Sequence, residues 1–196
     1  MVKRILLILL LNIIAAPYLE GQANKRTKAF LEDIFKEKSK SQHIYYGENI
    51  SSNVINSMKI SLKKDTLTSW YANPSKSEKK RCELVLTPKE KRYLLKEINK
   101  QVKLCWPNHL IANSSIVADD TLSAYESKLS DFIFLKERFD GELISFSHPI
   151  FIRRGTVCFF YNDSYCGPTC GGGDFSIYIK ERGRWVLIIT LFEWIS

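Results

Sequence analysis

The residues best placed to do chemistry are two cysteines four positions apart, in Cys166-Gly-Pro-Thr-Cys170. Two readings compete. In the first the pair is a redox dithiol. Such thiols react when a helix N-terminus or nearby cations lower the pKa of the attacking sulfur. Here Gly171-Gly172-Gly173 and then an alternating strand follow, so no helix start is offered, and Thr169 adds one residue to the C-x-x-C spacing of dithiol oxidoreductases. In the second the pair is a structural disulfide pinning a hairpin loop, which on the chain-entropy view contributes about 2 kcal/mol for so short a ring. The structural reading is favoured.

Three further cysteines are Cys82, Cys105 and Cys158. Cys82 and Cys105 flank a helix signal and are candidates for a second bridge, where the longer loop raises the same contribution to about 3.5 kcal/mol. Cys158 sits among Val157, Phe159 and Phe160 and is expected to be a buried free thiol that packs as a small hydrophobe. Metal binding needs several ligands at close spacing. His43, His109 and His148 are scattered, and Asp119-Asp120 is explained by helix capping. Ser147 and His148 are strand neighbours, which point to opposite faces and cannot form a nucleophile–base pair. The tri-glycine lacks the Lys-Ser/Thr and following helix of a phosphate loop; its glycines suit turns. No catalytic residue, metal ligand or cofactor is therefore assigned. Asn49-Ile-Ser, Asn113-Ser-Ser and Asn162-Asp-Ser match glycosylation sequons, a frequent chance pattern.

The compartment follows from the N-terminus. Met1-Val-Lys-Arg4 is a basic start, Ile5 to Ala16 is apolar apart from Asn12, Pro17 ends the run, and Gly21-Gln22-Ala23 offers a small-x-small cleavage site. Residues 1–23 are read as a signal peptide, with retention as an anchor the alternative, and residues 24–196 as one domain. Export places the cysteines in an oxidising compartment, periplasmic, envelope-associated or secreted. The chain has 29 Lys and Arg against 21 Asp and Glu, a formal +8. Cleavage removes two cations and one anion and leaves +7. Such a balance favours anionic surfaces, including an anionic envelope component. The cations are interleaved with Glu and Ser and no nucleic-acid motif accompanies them, so specific nucleic-acid binding is not expected. No transmembrane span is expected once the signal is removed.

The elements that must position these residues are read from periodicity. Asn24 to Lys40 carries Phe30, Leu31, Ile34 and Phe35 on an otherwise charged helix. Ile44-Tyr45-Tyr46-Gly47 is a short apolar piece. Met58, Ile60 and Leu62 alternate with polar residues and predict a strand. Asn73 to Ser77 is a loop, and Cys82 to Leu86 a short strand. Thr87-Pro88-Lys89-Glu90 is a capping box with proline at the first helical position, predicting a helix from Pro88 to about Val102. Further helices are predicted from Thr121 to Lys128 and from Asp131 to Phe139. Four strands follow: Leu143–His148, Thr156–Tyr161, Phe175–Lys180 and Trp185–Trp194, with a turn at Glu181-Arg182-Gly183-Arg184. The last is apolar on both parities, which predicts cover on both faces.

Ser147-His148-Pro149-Ile150-Phe151, Cys166-Gly167 with Cys170-Gly171-Gly172-Gly173, Gly183-Arg184-Trp185 and the closing Trp194-Ile195-Ser196 together resemble the C-terminal signature of a family of exported bacterial proteins. The likeness covers the last third of the chain. It implies export and the fold below, and carries no catalytic residue.

The expected architecture is α+β: N-terminal helices, with one or two short strands over residues 24–142, packed on a C-terminal antiparallel β-meander of about four strands over residues 143–196. A cone of helices on a curved sheet is the alternative. A pocket between helices and sheet would be lined by Trp106, Phe151, Tyr178 or Trp185. The expected function is a non-enzymatic binding or structural module of the periplasm or envelope. Its competitors are a thiol-disulfide oxidoreductase using Cys166 and Cys170, and an electrostatic binder of anionic lipid or polysaccharide.

Overall fold

The computed structural model describes residues 25–72, 79–108, 110–118, 139, 142–167 and 170–196. The expected signal peptide, the loop from Asn73 to Ser77, the pair Asp119-Asp120, the helix predicted from Thr121 to Lys128 and, Phe139 apart, the helix predicted from Asp131 to Phe139 lie outside them.

Helix α1 spans residues 25–34 and α2 spans Lys36–Ser41, with Phe35 at the break between them. Phe30, Leu31 and Phe35 are buried, as their helical spacing requires. Strand β1 follows at Ile44–Gly47. Helix α3 spans Ser52–Ser61, where alternation had predicted a strand. The Ser51 hydroxyl accepts the Val54 N–H at 3.3 Å and caps it. Ile55, Met58 and Leu62, three and four residues apart, are the buried set, while Ile60 is 58% exposed. The helical period overrides the two-residue one. Strands β2 (Thr66–Ala72) and β3 (Lys79–Val85) form a separate antiparallel ribbon. Helix α4, Pro88–Lys100, begins with the complete capping box of Thr87 and Glu90 and continues into a 3-10 turn at Gln101–Lys103.

The remaining strands are β4 (Ser114–Val117), β5 (Leu143–Phe146), β6 (Ile150–Ile152), β7 (Val157–Gly167), β8 (Cys170–Glu181) and β9 (Arg184–Ile195). Seven strands form one mixed sheet in the order β4-β1-β5-β7-β8-β9, with β6 also on β7. β1 lies parallel to both β4 and β5; the other pairs are antiparallel. This corrects the expected α+β arrangement. The described chain is mostly β, its C-terminal strands belong to a larger mixed sheet rather than to a four-strand meander, and β1 to β4 lie upstream of residue 143. The hairpin-connected strands β7, β8 and β9 pair antiparallel, as short connections require, whereas the parallel pairs of β1 arise between segments far apart in sequence, which local patterning does not reveal.

The sheet is buried on both faces by side chains that alternate along the same strands. On one face Phe159, Tyr161, Phe175, Ile177 and Ile189 pack with Ile55 and Met58 of α3 and Leu62 at its C-terminal cap, Leu94 and Ile98 of α4, and Leu67 and Leu84 of the ribbon. On the other, Cys158, Phe160, Tyr178, Ile144 and Phe146 pack with Phe30, Leu31 and Phe35 and with Trp106. Each fully buried large side chain contributes roughly 1.5–3 kcal/mol. Among the described residues β9 pairs only with β8, and the Asp33 carboxylate of α1 accepts the Trp185 N–H at 2.7 Å. No helix among the described residues is long and apolar enough to cross a membrane.

Candidate functional site

Beyond Phe160 and Tyr178 the α1-facing side of the sheet turns polar. The register aligns Asn162 of β7, Asp174 of β8 and Glu193 of β9 in one cross-strand row. Two bulges in β9 put Glu193 there. The pairing skips one residue between Thr190 and Phe192 and another between Leu187 and Ile189. Each bulge reverses the parity of the strand. Trp185, Leu187, Thr190 and Glu193 therefore share a face, a spacing that simple alternation does not produce. The next row holds Ser164, Gly172 and Ile195.

These rows floor a cavity of about 330 Å³, walled by Phe35, Lys38 and Ile144. Gly172 helps keep it open: a Cβ there would meet only the Trp194 carbonyl, at 3.2 Å. Lys38 donates to Glu142 at 2.6 Å, and Gln42 donates to the other oxygen of the same carboxylate at 2.9 Å. The lysine is thus tied to the rim.

Asp174 accepts from the Ser176 hydroxyl at Oδ1 and from the Asn162 amide at 3.2 Å at Oδ2. Burial pushes its carboxyl above the usual carboxylate range, and the facing Glu193 charge pushes the same way, while the two hydrogen bonds oppose them. Ser176 also contacts Thr190 at 3.2 Å.

Behind the floor, on the opposite face, a brace joins the three strands β5, β7 and β9. Trp194 Nε1–H donates to the Tyr161 oxygen at 2.9 Å, and the Tyr161 hydroxyl donates to Asp163 Oδ2 at 2.7 Å. The Ser145 N–H donates to Asp163 Oδ1 at 2.9 Å. Burial raises the pKa of both Tyr161 and Asp163. Gly173 lies beneath the brace, where a Cβ would stand 2.5 Å from Asp163 Cβ and 2.7 Å from Trp194 Nε1. Glycine is needed there for close approach.

The expected pocket residues lie elsewhere. Phe151, Tyr178 and Trp185 close around the ring of Phe30, with centroids 5.9, 5.6 and 5.2 Å away. They fill the interface between α1 and the sheet. Trp106 donates its Nε1–H to the Phe146 carbonyl at 2.9 Å and stacks flat on His148 at 3.5 Å. His148 is clamped by Gln101, which bonds its backbone N–H and carbonyl. Burial lowers the imidazole to about 4. His43 bonds Asn113 and Ser115 and holds the β1–β4 edge.

Cys166 and Cys170 form a disulfide with Cα atoms 5.1 Å apart. It closes the β7–β8 hairpin, and Cys170 opens a strand, so neither sulfur faces a helix start. The second bridge is not formed: Cys82 and Cys105 are free, the first half-buried in β3 and the second exposed. Cys158 is buried and free, its thiol pushed well up by burial. Among the described residues no three His, Cys, Asp or Glu side chains converge as a metal would require.

Sequence reasoning passed over Asn162, Asp174 and Glu193. A signal was present: Asp163 and Asp174 are the sole charges between Thr156 and Ile179, and Glu193 the sole charge between Trp185 and Ile195. Charged residues in otherwise apolar strands mark a face that departs from the core. No family model, curated protein or solved structure matches this chain.

Proposed function

We propose that the protein is an exported, non-enzymatic binding module whose ligand seats in the cavity over β7, β8 and β9. The observation that carries this reading is the cavity's construction. Its polar groups stand on strands locked from behind by the Tyr161–Asp163–Trp194 brace, while apolar Phe35 and Ile144 wall it. Ligand sites are typically concave and largely pre-formed, with a few convergent polar groups among apolar ones. The disulfide holds the hairpin whose strands make the floor and is given a structural role. The basic N-terminal start and apolar run support export.

The test is a ligand-observed NMR screen of small polar fragments against the native chain and Gly172→Leu. The leucine side chain would project into the cavity, its Cβ closely set against the Trp194 carbonyl at 3.2 Å. Fragments that bind the native chain should lose saturation transfer to the variant, whose near-ultraviolet circular dichroism should be unchanged. Equal binding to both proteins would place the ligands elsewhere and overturn the reading.

A further inference from the structure

We infer that the cavity takes a small organic cation, an ammonium or guanidinium group held between Asp174 and Glu193. This rests on the binding reading above and names the chemistry of its ligand. The register sets the two carboxylates directly opposite each other on β8 and β9. Facing like charges destabilise a strand pair. In a chain with 29 lysines and arginines, a neighbouring cation would be the simple remedy. Among the described residues neither carboxylate has an ion-pair partner. Lys38, the cation lining the cavity, is spent on Glu142.

The Asp174 carboxylate also retains capacity. An ionised carboxylate accepts about four hydrogen bonds, and Asp174 receives one from Ser176 and one from Asn162. These two bonds fix its orientation and leave acceptor sites for a ligand. Glu193 accepts no side-chain hydrogen bond among the described residues and is exposed at the mouth. The arrangement is a fixed inner acceptor and a free outer one. A planar guanidinium can engage two acceptors at once. Phe35 also lines the cavity, and aromatic rings attract organic cations. An anionic ligand would meet two negative charges, and a neutral one would leave both uncompensated.

Isothermal titration calorimetry at low and moderate salt would test this with agmatine and putrescine as cationic probes, succinate as the anionic and xylose as the neutral one. The native chain should bind agmatine or putrescine, more weakly as salt rises. Asp174→Asn and Glu193→Gln should each lose about tenfold in affinity, consistent with removal of one charged hydrogen bond. Glu193 is exposed, so its variant folds whatever the fate of Asp174→Asn. Cation affinity unchanged in Glu193→Gln overturns the inference. So does binding of xylose or succinate, but not of the amines, at a site blocked by Gly172→Leu; that result leaves the binding reading standing. Failure of all four probes to bind overturns the cation assignment, whereas the wider fragment screen decides the binding reading separately.

Discussion

At the residue scale, the molecule's polar side chains divide into those fully committed to the fold and those with capacity left. Asp163 is committed: tyrosine and backbone donors take both oxygens. Asp174, on the neighbouring strand and the other face, is only partly engaged. His148 is a third case, a ring held by stacking, with a buried Nε2 that has no hydrogen-bond partner. Its pH behaviour follows. Burial holds the folded imidazole at about 4 instead of 6.5. Between those values the unfolded chain binds a proton that the folded chain does not. The stability of the neutral ring is therefore complete above about 6.5 and falls as pH drops toward about 4. His148→Phe keeps an aromatic ring on Trp106 and removes the titration. Urea denaturation at pH 7 and pH 5 should show the native chain losing up to about 2 kcal/mol more than the variant over that interval. Equal losses would show that His148 does not couple folding to protonation.

At the element scale, the helix starts show how far local sequence reaches. Thr87-Pro88-Lys89-Glu90 places the beginning of α4 because all its determinants lie within four residues. The α3 helix escaped because Met58, Ile60 and Leu62 also satisfy a strand's alternation, and only the sheet that buries Ile55, Met58 and Leu62 decides between the two periods. The candidate site was still less legible. Asn162, Asp174 and Glu193 meet through the register of three strands and two bulges, none of which is encoded near any one of them. The capping box also has a partner no local reading could supply. Arg153 Nε–H donates to Glu90 at 2.9 Å, and its Nη2–H donates to the Val85 carbonyl at 2.7 Å. One side chain thus ties the β6–β7 turn to the end of β3 and the start of α4. The Arg153 guanidinium lowers the Glu90 carboxyl from 4.5 to about 2, with the Thr87 N–H and hydroxyl contributing and partial burial opposing. A depressed carboxylate stabilises the fold above its unfolded pKa and loses that contribution as pH falls from about 4.5 toward about 2. Because the pair is partly exposed, its coupling should be modest. A double-mutant cycle of Glu90→Gln and Arg153→Ala should give about 1 kcal/mol at pH 7, shrinking as the solution is acidified through that window. A coupling independent of pH would mean that charge is not its source.

At the scale of the whole molecule, the question is whether the two cores are two folding units or one. The sequence shows the strands from Val157 onward through their apolar runs and the turns between them, but not that β1 lies between β4 and β5. Ile44 pairs with Ser114, and Tyr45 with Leu143, so the information sits in segments that meet only in the folded state. This non-local sheet is what joins the cores. Along β7, Phe159 and Tyr161 serve one cluster while Cys158 and Phe160 serve the other. Tyr178 and Ile177 divide β8 in the same way. Loosening either face therefore loosens the strands that the other face packs on. Phe30 touches Phe151, Phe160, Tyr178 and Trp185, and Met58 is wholly buried in the opposite cluster. Phe30→Ala should cost about 3–5 kcal/mol and Met58→Ala about 2–5 kcal/mol. Tryptophan fluorescence and far-ultraviolet circular dichroism should still report one coincident transition in each variant, as a cooperative two-state domain requires. A Phe30→Ala protein whose fluorescence transition precedes its loss of secondary structure would instead show α1 and its aromatic cluster detaching on their own. The shared strands would then be an architectural link without an energetic one.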